Sequence, residues 1–194
     1  MWILFCALHS LLASIKAKQR AQKLMGKGFR LYRLWYTVFA FVSLGAVVGY
    51  QLSIDTPYLF TPTLLSNIAG ALIGVGGLLV MGICIRKYFM HLSGLKSLYL
   101  NDEQAANKLQ ISGIHRFVRH PLYTGTFMAI WGLWVAVPQL SLLIVNAIIT
   151  GYTIWAIKWE EQKLLQEFGD DYRRYQRQVP RLLPLPGRST SHSF

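Results

Sequence analysis

The sequence predicts an all-α integral membrane protein with five transmembrane helices, its N-terminus outside, its C-terminus cytoplasmic, and its last two spans folded as a tight helical hairpin. Three observations lead there. The chain of 194 residues is 53% hydrophobic and only 14% charged, the composition of a protein built for lipid rather than water. Uncharged runs cover residues 1–15, 34–54, 56–85 and 122–157, and the last three meet or exceed the roughly 20 residues that cross a bilayer as helix. Finally, all twenty Lys and Arg residues fall in the segments 16–33, 86–121 and 158–194. Alternate loops that are wholly basic or wholly free of Lys and Arg are what the positive-inside rule produces.

That placement also disposes of another reading. A formal charge of +12 suggests a nucleic-acid binder in a soluble chain, but here the cations flank apolar spans. They are expected to set topology and to contact anionic lipid headgroups, at about 1 kcal/mol per near-surface cation. No nucleic-acid partner is expected.

Taken in order, the first run (Met1 to about Ile15) has no basic n-region and is followed by cations, so it reads as a short anchor and not a cleaved signal. It contains His9-Ser10, a polar pair that is costly in hydrocarbon unless it faces other helices or a cavity. An interhelical hydrogen bond and a side chain directed into an active site both remain open for His9. Residues 16–33 form a basic amphipathic connector whose Leu24, Met25, Phe29 and Leu31 can rest on the membrane. The second helix, Leu34 to about Leu52, is aromatic at its inner end (Trp35, Tyr36, Phe39, Phe41) and carries Gly45 and Gly49 at GxxxG spacing. Turn residues follow at Asp55-Thr56-Pro57.

The third helix, about Ser66 to Ile85, is glycine-rich at Gly70, Gly74, Gly76, Gly77 and Gly82. With no strand before it, this spacing predicts close helix packing and not a nucleotide loop. Residues 86–119 form the longest aqueous loop and include His91. The run 122–157 is interrupted by Pro138-Gln139, giving two arms of roughly 17 to 18 residues joined by a tight turn. Lys158 to about Gln178 reads as a helix leaving the membrane, with Gly169 as a point where it bends or breaks. Residues 1–187 are read as one domain with its cofactor region at 105–184, and 188–194 as a disordered tail. Cys6 and Cys84 both lie within spans and are read as small buried apolar residues.

Chemistry concentrates on the inner face, where His91, His115, His120, Tyr123, Glu160 and Glu161 fall. The histidine spacing does not suit a metal, and there is no nucleophile elbow or phosphate loop. Glu160-Glu161 ends a span, where negative charge opposes the helix dipole and asks for a cationic partner.

Leu109-x-x-x-Gly113, then Arg119-His120-Pro121-Leu122-Tyr123-x-Gly125, then Glu160-Glu161-x-x-Leu164-x-x-x-Phe168-Gly169-x-x-Tyr172-x-x-Tyr175 and Val179-Pro180 resemble the integral-membrane methyltransferase superfamily of isoprenylcysteine carboxyl methyltransferases, phospholipid methyltransferases and methanethiol S-methyltransferases. In the N-terminal half, His9-Ser10-Leu11-Leu12-Ala13-Ser14, Tyr32-Arg33 and His91-Leu92-x-Gly94-Leu95 are similar to the NnrU-like and methanethiol methyltransferase branch.

The resemblance implies an S-adenosylmethionine pocket at the inner ends of the last helices. Carried over by position, its cofactor-binding residues are Asn107, Leu109, Gln110, His115, His120, Pro121, Leu122, Tyr123, Glu160 and Glu161. Asn107 and His115 depart from the prenylcysteine pattern, and Ala156 stands where that branch has an arginine that binds the substrate, which argues against a prenylcysteine carboxylate as acceptor. The residue chemistry agrees. A carboxylate suits the cofactor's sulfonium and ammonium, backbone N–H groups and His120 suit its carboxylate, and Tyr123 offers an aromatic face to a cation. The expected acceptor is small or lipidic, with thiol ahead of carboxylate and phospholipid amine. Because a thiol must lose its proton to react well, His9, His91 and His115 are the candidate catalytic bases. No metal is expected, and the expected location is a bacterial inner membrane. The alternative is a non-catalytic NnrU-like membrane protein holding haem or another small ligand.

Overall fold

The computed structural model describes residues 1–92, 109 and 111–184. Its described residues are helical, with no strand beyond one isolated bridge between Tyr58 and Gln139. Among the described residues six α-helices follow one another: α1 (Trp2–Ala13), α2 (Ile15–Met25), α3 (Tyr32–Leu52), α4 (Leu64–Leu92), α5 (Pro121–Ala136) and α6 (Leu140–Gln178).

Local chemistry sets their ends. Ser14, extended at ψ 153°, accepts from Ala17 N at 3.2 Å and donates to Leu11 O at 2.7 Å, so one side chain caps α2 and closes α1. Gly26 ends α2 at φ 52°, a conformation glycine adopts without a Cβ penalty. A 3-10 segment (Gly26–Leu31) then leads into α3. The basic connector is therefore a helix and a tight turn. At the start of α4, Thr63 and Ser66 exchange hydrogen bonds, with Ser66 N reaching Thr63 Oγ1 at 3.1 Å and Thr63 N reaching Ser66 Oγ at 2.9 Å, a reciprocal cap.

Among the described residues, three helices are long and apolar enough to cross a membrane: Leu34–Leu52, Leu64–Arg86 and Leu140–Gln178. The protein is an integral membrane protein on this evidence. By contrast, α1 has 12 residues and α5 has 16, which at ~1.5 Å per residue fall short of a hydrocarbon core of about 30 Å. The hairpin is present as expected, with Val137-Pro138-Gln139 joining α5 to α6. Both arms differ in length from the expectation, because α5 ends at Ala136, before the Val137-Pro138 turn, and α6 runs past Ile157 into the charged segment without a break until Gly169 (φ 54°, ψ −123°).

The tightest packing is between α4 and α5. A Cβ on Gly77 would lie 2.5 Å from Ala129 N and Gly125 O, and one on Gly70 would lie 2.6 Å from Ala136 N and Gly132 O. The two backbones touch there, so the glycine-rich helix does pack closely, against the small residues Gly125, Ala129, Gly132 and Ala136. Gly45 and Gly49, at the same spacing on α3, have nothing within 4 Å of a Cβ.

The ends of the bundle sort by charge. Both cation-free loops meet at one end, where Leu59 N donates to Pro138 O at 2.8 Å, Leu140 N to Pro57 O at 3.1 Å, and Thr56 Oγ1 to Ser141 Oγ at 2.9 Å. At the other end, Arg119 N donates to Pro180 O at 2.9 Å and His120 N to Arg181 O at 3.1 Å. The region around Arg119 to Tyr123 is thus held against the segment that follows α6.

Candidate functional site

The site forms where α5 begins. Pro121 occupies the first turn of α5, where its missing N–H costs nothing. It also keeps His120 out of the helical region, at φ −121° and ψ 64°. This leaves His120 buried (6% exposed) with its ring aimed across to α6. Thr124 Oγ1 donates to Leu182 O at 2.7 Å and closes the turn from the other side.

Two neighbouring glutamates on α6 face different surroundings. Glu161 is 4% exposed, and its oxygens accept from four side chains. Oε1 takes Arg119 Nε at 3.0 Å, Arg119 Nη2 at 2.8 Å and His120 Nε2 at 3.1 Å; Oε2 takes Arg181 Nη2 at 2.9 Å and Gln176 Nε2 at 3.4 Å. Arg119 spends its remaining nitrogen on the C-terminal carbonyls of α6, Gln176 O at 2.9 Å and Val179 O at 2.6 Å. Burial pushes the Glu161 carboxyl upward, but hydrogen bonds from His120, Arg119 and Arg181 and the charge of Arg119 outweigh it and hold it at about 2. Glu161 lies beyond Ile157, in the charged part of α6, and is satisfied by protein alone.

Glu160 is the open one. Its side chain is 46% exposed, with Oε2 3.8 Å from His120 Nδ1. The Tyr123 hydroxyl faces it, and the Tyr123 ring stacks on His120 with centroids 5.7 Å apart. A half-exposed carboxylate therefore sits beside an aromatic ring, an imidazole, and the uncapped N-terminus of α5. Such a set offers one negative group for a cation and free backbone N–H groups for an anion.

Other expected residues are placed as follows. Leu109 packs on the cluster of Tyr172, Tyr175 and Val179. His115 Nδ1 lies 3.2 Å from Arg119 O, and its carbonyl accepts from Tyr175 Oη at 2.7 Å, so it supports the turn. Pro121 is buried and Leu122 partly so. Asn107 and Gln110 lie outside the described residues, as does the side chain of His91, whose backbone belongs to α4.

His9 belongs to a second group, some way into the bundle. The Tyr36 hydroxyl lies 3.1 Å from His9 Nδ1 and 3.0 Å from Nε2, and the neighbouring Ser10 hydrogen-bonds Tyr152. Tyr32 Oη donates to Leu12 O at 2.8 Å. Tyr36 and Tyr152 both lie within electrostatic reach of Tyr123. Sequence reasoning missed Arg181, Gln176, Tyr152 and the role of Tyr36. The available signal was a tyrosine inside an apolar run, whose hydroxyl needs a partner when buried.

Comparison with known proteins places the chain in a family. Residues 69–171 match the Phospholipid methyltransferase family. The chain is 33% identical over 102 residues to a methanethiol S-methyltransferase of Crocosphaera subtropica, covering 51% of this chain and 39% of that protein. It is 36% identical over 102 residues to a methanethiol S-methyltransferase of Mycobacterium tuberculosis (51% and 41% covered). It is 30% identical over 123 residues to the protein-S-isoprenylcysteine O-methyltransferase of Homo sapiens (58% and 42% covered). The chain thus spans about two fifths of the length of these curated relatives. No solved structure matches it. The matched region takes in more than half of the sequence, including the turn at His120 and the glutamate pair, and the chain belongs to the Phospholipid methyltransferase family.

Proposed function

We propose that the protein is an S-adenosylmethionine-dependent methyltransferase acting at the cytoplasmic membrane face on a small or lipidic acceptor, with a thiol favoured over a carboxylate or a phospholipid amine. The observation that carries this reading is the contrast between the glutamates. Glu161 is saturated by Arg119, His120, Arg181 and Gln176, whereas Glu160 stands half-exposed beside Tyr123 and the N-terminus of α5.

The donor set fits the cofactor, which supplies a methyl group on a sulfonium. Glu160 would balance its positive charge and Tyr123 would offer a ring face to it. The N–H groups at the start of α5 and His120 would hold its carboxylate. Asn107, Leu109, Gln110, His115, Pro121 and Leu122 would complete the wall, and Glu161 would keep that wall in register through Arg119 and His120. The protein's part in an in-line displacement at carbon is alignment and exclusion of water, worth up to roughly 7–11 kcal/mol where geometry is ideal. His9, His91 and His115 are the proposed bases for an acceptor that must lose a proton. The relatives named methanethiol S-methyltransferase support the thiol, and the comparisons do not favour a non-catalytic, haem-binding NnrU-like protein.

We assign five crossings, counting the shorter α1 and α5, with the N-terminus outside and the C-terminus in the cytoplasm of a bacterial inner membrane. The cations of α2 and of the other inner segments then meet anionic headgroups. Residues 1–187 form the single domain of this proposal.

Calorimetry of S-adenosylhomocysteine with the detergent-purified protein tests the reading. Binding by the wild type and its loss in Glu160→Ala are expected. Absence of binding, or an unaffected Glu160→Ala, would overturn it. Transfer of a radiolabelled methyl group to a panel of thiols, fatty acids and phospholipids ranks the acceptors.

A further inference from the structure

We infer that Arg181 is a positioning residue of the cofactor site: it holds one oxygen of Glu161 so that the other stays on His120 and keeps that ring in place beside Glu160 and Tyr123. This rests on the methyltransferase reading and adds to it a residue outside the proposed binding set.

An arginine and a carboxylate commonly pair fork to fork, with two nitrogens on two oxygens. Arg119 and Glu161 do not. Arg119 Nε and Nη2 both donate to Oε1, at 3.0 and 2.8 Å, and His120 Nε2 reaches the same oxygen at 3.1 Å. The reason lies on the other oxygen. Oε2 accepts from Arg181 Nη2 at 2.9 Å and from Gln176 Nε2 at 3.4 Å; the Arg181 bond is shorter and carries a charged donor, so it is the stronger of the two. The terminal torsion of a glutamate is soft, so the donors on each oxygen fix the angle of the carboxylate. With Arg181 on Oε2, Oε1 stays where Arg119 and His120 both reach it. Without Arg181, the carboxylate is free to turn, give Arg119 the two-oxygen pairing, and leave His120 Nε2 without its acceptor.

The site depends on that acceptor because little else sets the angle of the His120 ring. Nδ1 stands 3.8 Å from Glu160 Oε2, beyond hydrogen-bond length. Tyr123 stacks on the ring face with centroids 5.7 Å apart, a contact that leaves the ring free to turn in its own plane. A turned ring alters the surroundings of Glu160 and Tyr123, so Arg181 acts on the cofactor through Glu161 and His120.

The backbone docking of the same segment is a separate matter. Arg119 N donates to Pro180 O, His120 N to Arg181 O, and Thr124 Oγ1 to Leu182 O, and none of these bonds uses the Arg181 side chain. The segment therefore stays docked in Arg181→Ala, and the variant removes the guanidinium alone. That side chain is 44% exposed, against 8% for Arg119, so its place is open to a small cation from solvent.

The test is chemical rescue of the full-length protein in detergent. Calorimetric affinity for S-adenosylhomocysteine should fall roughly 10–100-fold in Arg181→Ala, the range known for outer partners that orient metal ligands. Guanidinium, far below denaturing concentration, should restore most of it, whereas sodium chloride at equal ionic strength should not. Arg119→Ala, whose place is buried, should not be rescued. Arg181→Lys should bind closer to wild type than Arg181→Ala does, because Arg181 gives Glu161 a single nitrogen, and Gln176→Leu should change the affinity little. A second readout needs no cofactor. In nitrogen-15 NMR of histidine-labelled protein, with the His120 signals assigned by their loss in His120→Asn, the Nε2 shift should move in Arg181→Ala and return with guanidinium. Wild-type affinity in Arg181→Ala, a loss that guanidinium leaves in place, or unmoved His120 signals would each overturn the inference and leave the cofactor site standing. A wild type that binds no S-adenosylhomocysteine overturns the cofactor reading and this inference with it.

Discussion

The two halves of the bundle are assembled by different forces. From α4 onward the chain is fastened by backbone contact along the glycine seam and by a buried ion cluster around Glu161. The helices before it are fastened by side-chain hydroxyls, with Tyr32, Tyr36 and Tyr152 each bonded to the last turns of α1. Backbone contact and buried charge tolerate little movement, which is what a cofactor needing alignment requires. Hydroxyl contacts in a bundle are worth about 0.6 kcal/mol each, so α1 is fastened less tightly than the other half. The family match, at residues 69–171, also falls on the rigid half.

The contrast is most sharply broken at Glu161. Glu161→Ala would leave Arg119, 8% exposed at its side chain, and His120 without their acceptor, and should cost about 3–5 kcal/mol, seen as a large fall in thermal midpoint in detergent. Glu160→Ala, one residue away and half-exposed, should barely move that midpoint while removing cofactor binding. Glu161 also gives a pH signature. Its carboxyl is held at about 2 when folded against roughly 4.3 unfolded, so its stabilising contribution is complete above the unfolded value and is lost as pH falls through the folded one. The wild-type midpoint should therefore drop between about pH 4.3 and pH 2, with a shallower decline in Glu161→Gln.

The seam comes next. Gly77→Leu would drive a side chain into Ala129 N and Gly125 O, both 2.5 Å from the position of its Cβ, and should cost at least the ~1–3 kcal/mol of an overpacked core, because backbone cannot step aside. The matched change on the other half, Gly45→Ala, meets nothing within 4 Å and should be neutral or stabilising by up to about 1 kcal/mol through helix propensity. Thermal unfolding of the pair measures the difference directly.

These glycines also mark what the sequence could reveal. Helix positions followed from uncharged runs, and the end-to-end sorting of the loops followed from where Lys and Arg stand, because both are one-dimensional properties. Gly70-x-x-x-Gly74 and Gly45-x-x-x-Gly49 have the same spacing, yet only the first meets another backbone. Which helix a small-residue face finds depends on loop geometry that spacing does not encode. At the site, the turn at His120 and the glutamate pair were legible as motif residues. The division of labour between Glu160 and Glu161 was not, since it is set by Arg181 and Gln176, which arrive through the break at Gly169 and the return of Val179 to Leu182. Arg119 was legible only as a motif residue, and its pairing with the buried Glu161 carboxylate was not. His9 was legible as an anomaly in an apolar run; its partner on α3 was hidden among residues that suit an interfacial belt equally well.

The smallest expected effect sharpens the comparison furthest. Tyr32→Phe deletes one hydroxyl that donates to Leu12 O at 2.8 Å, where α1 already ends and the carbonyl has other routes to solvation. The loss should be about 0.6 kcal/mol, the mean for a polar contact between membrane helices, and should appear as a small, uniform drop in thermal midpoint. If the first half were held as rigidly as the second, that single deletion would unfasten α1 as a unit, and hydrogen exchange along Trp2–Ala13 would rise together with exchange in α3. A loosely fastened helix instead predicts exchange that rises only near Leu12, with Tyr36, Tyr152 and the glycine seam unaffected. The exchange pattern thus measures whether the hydroxyl contacts act independently, which is the property that separates a loosely fastened α1 from the α4, α5 and α6 scaffold that keeps Glu160 and Tyr123 in place.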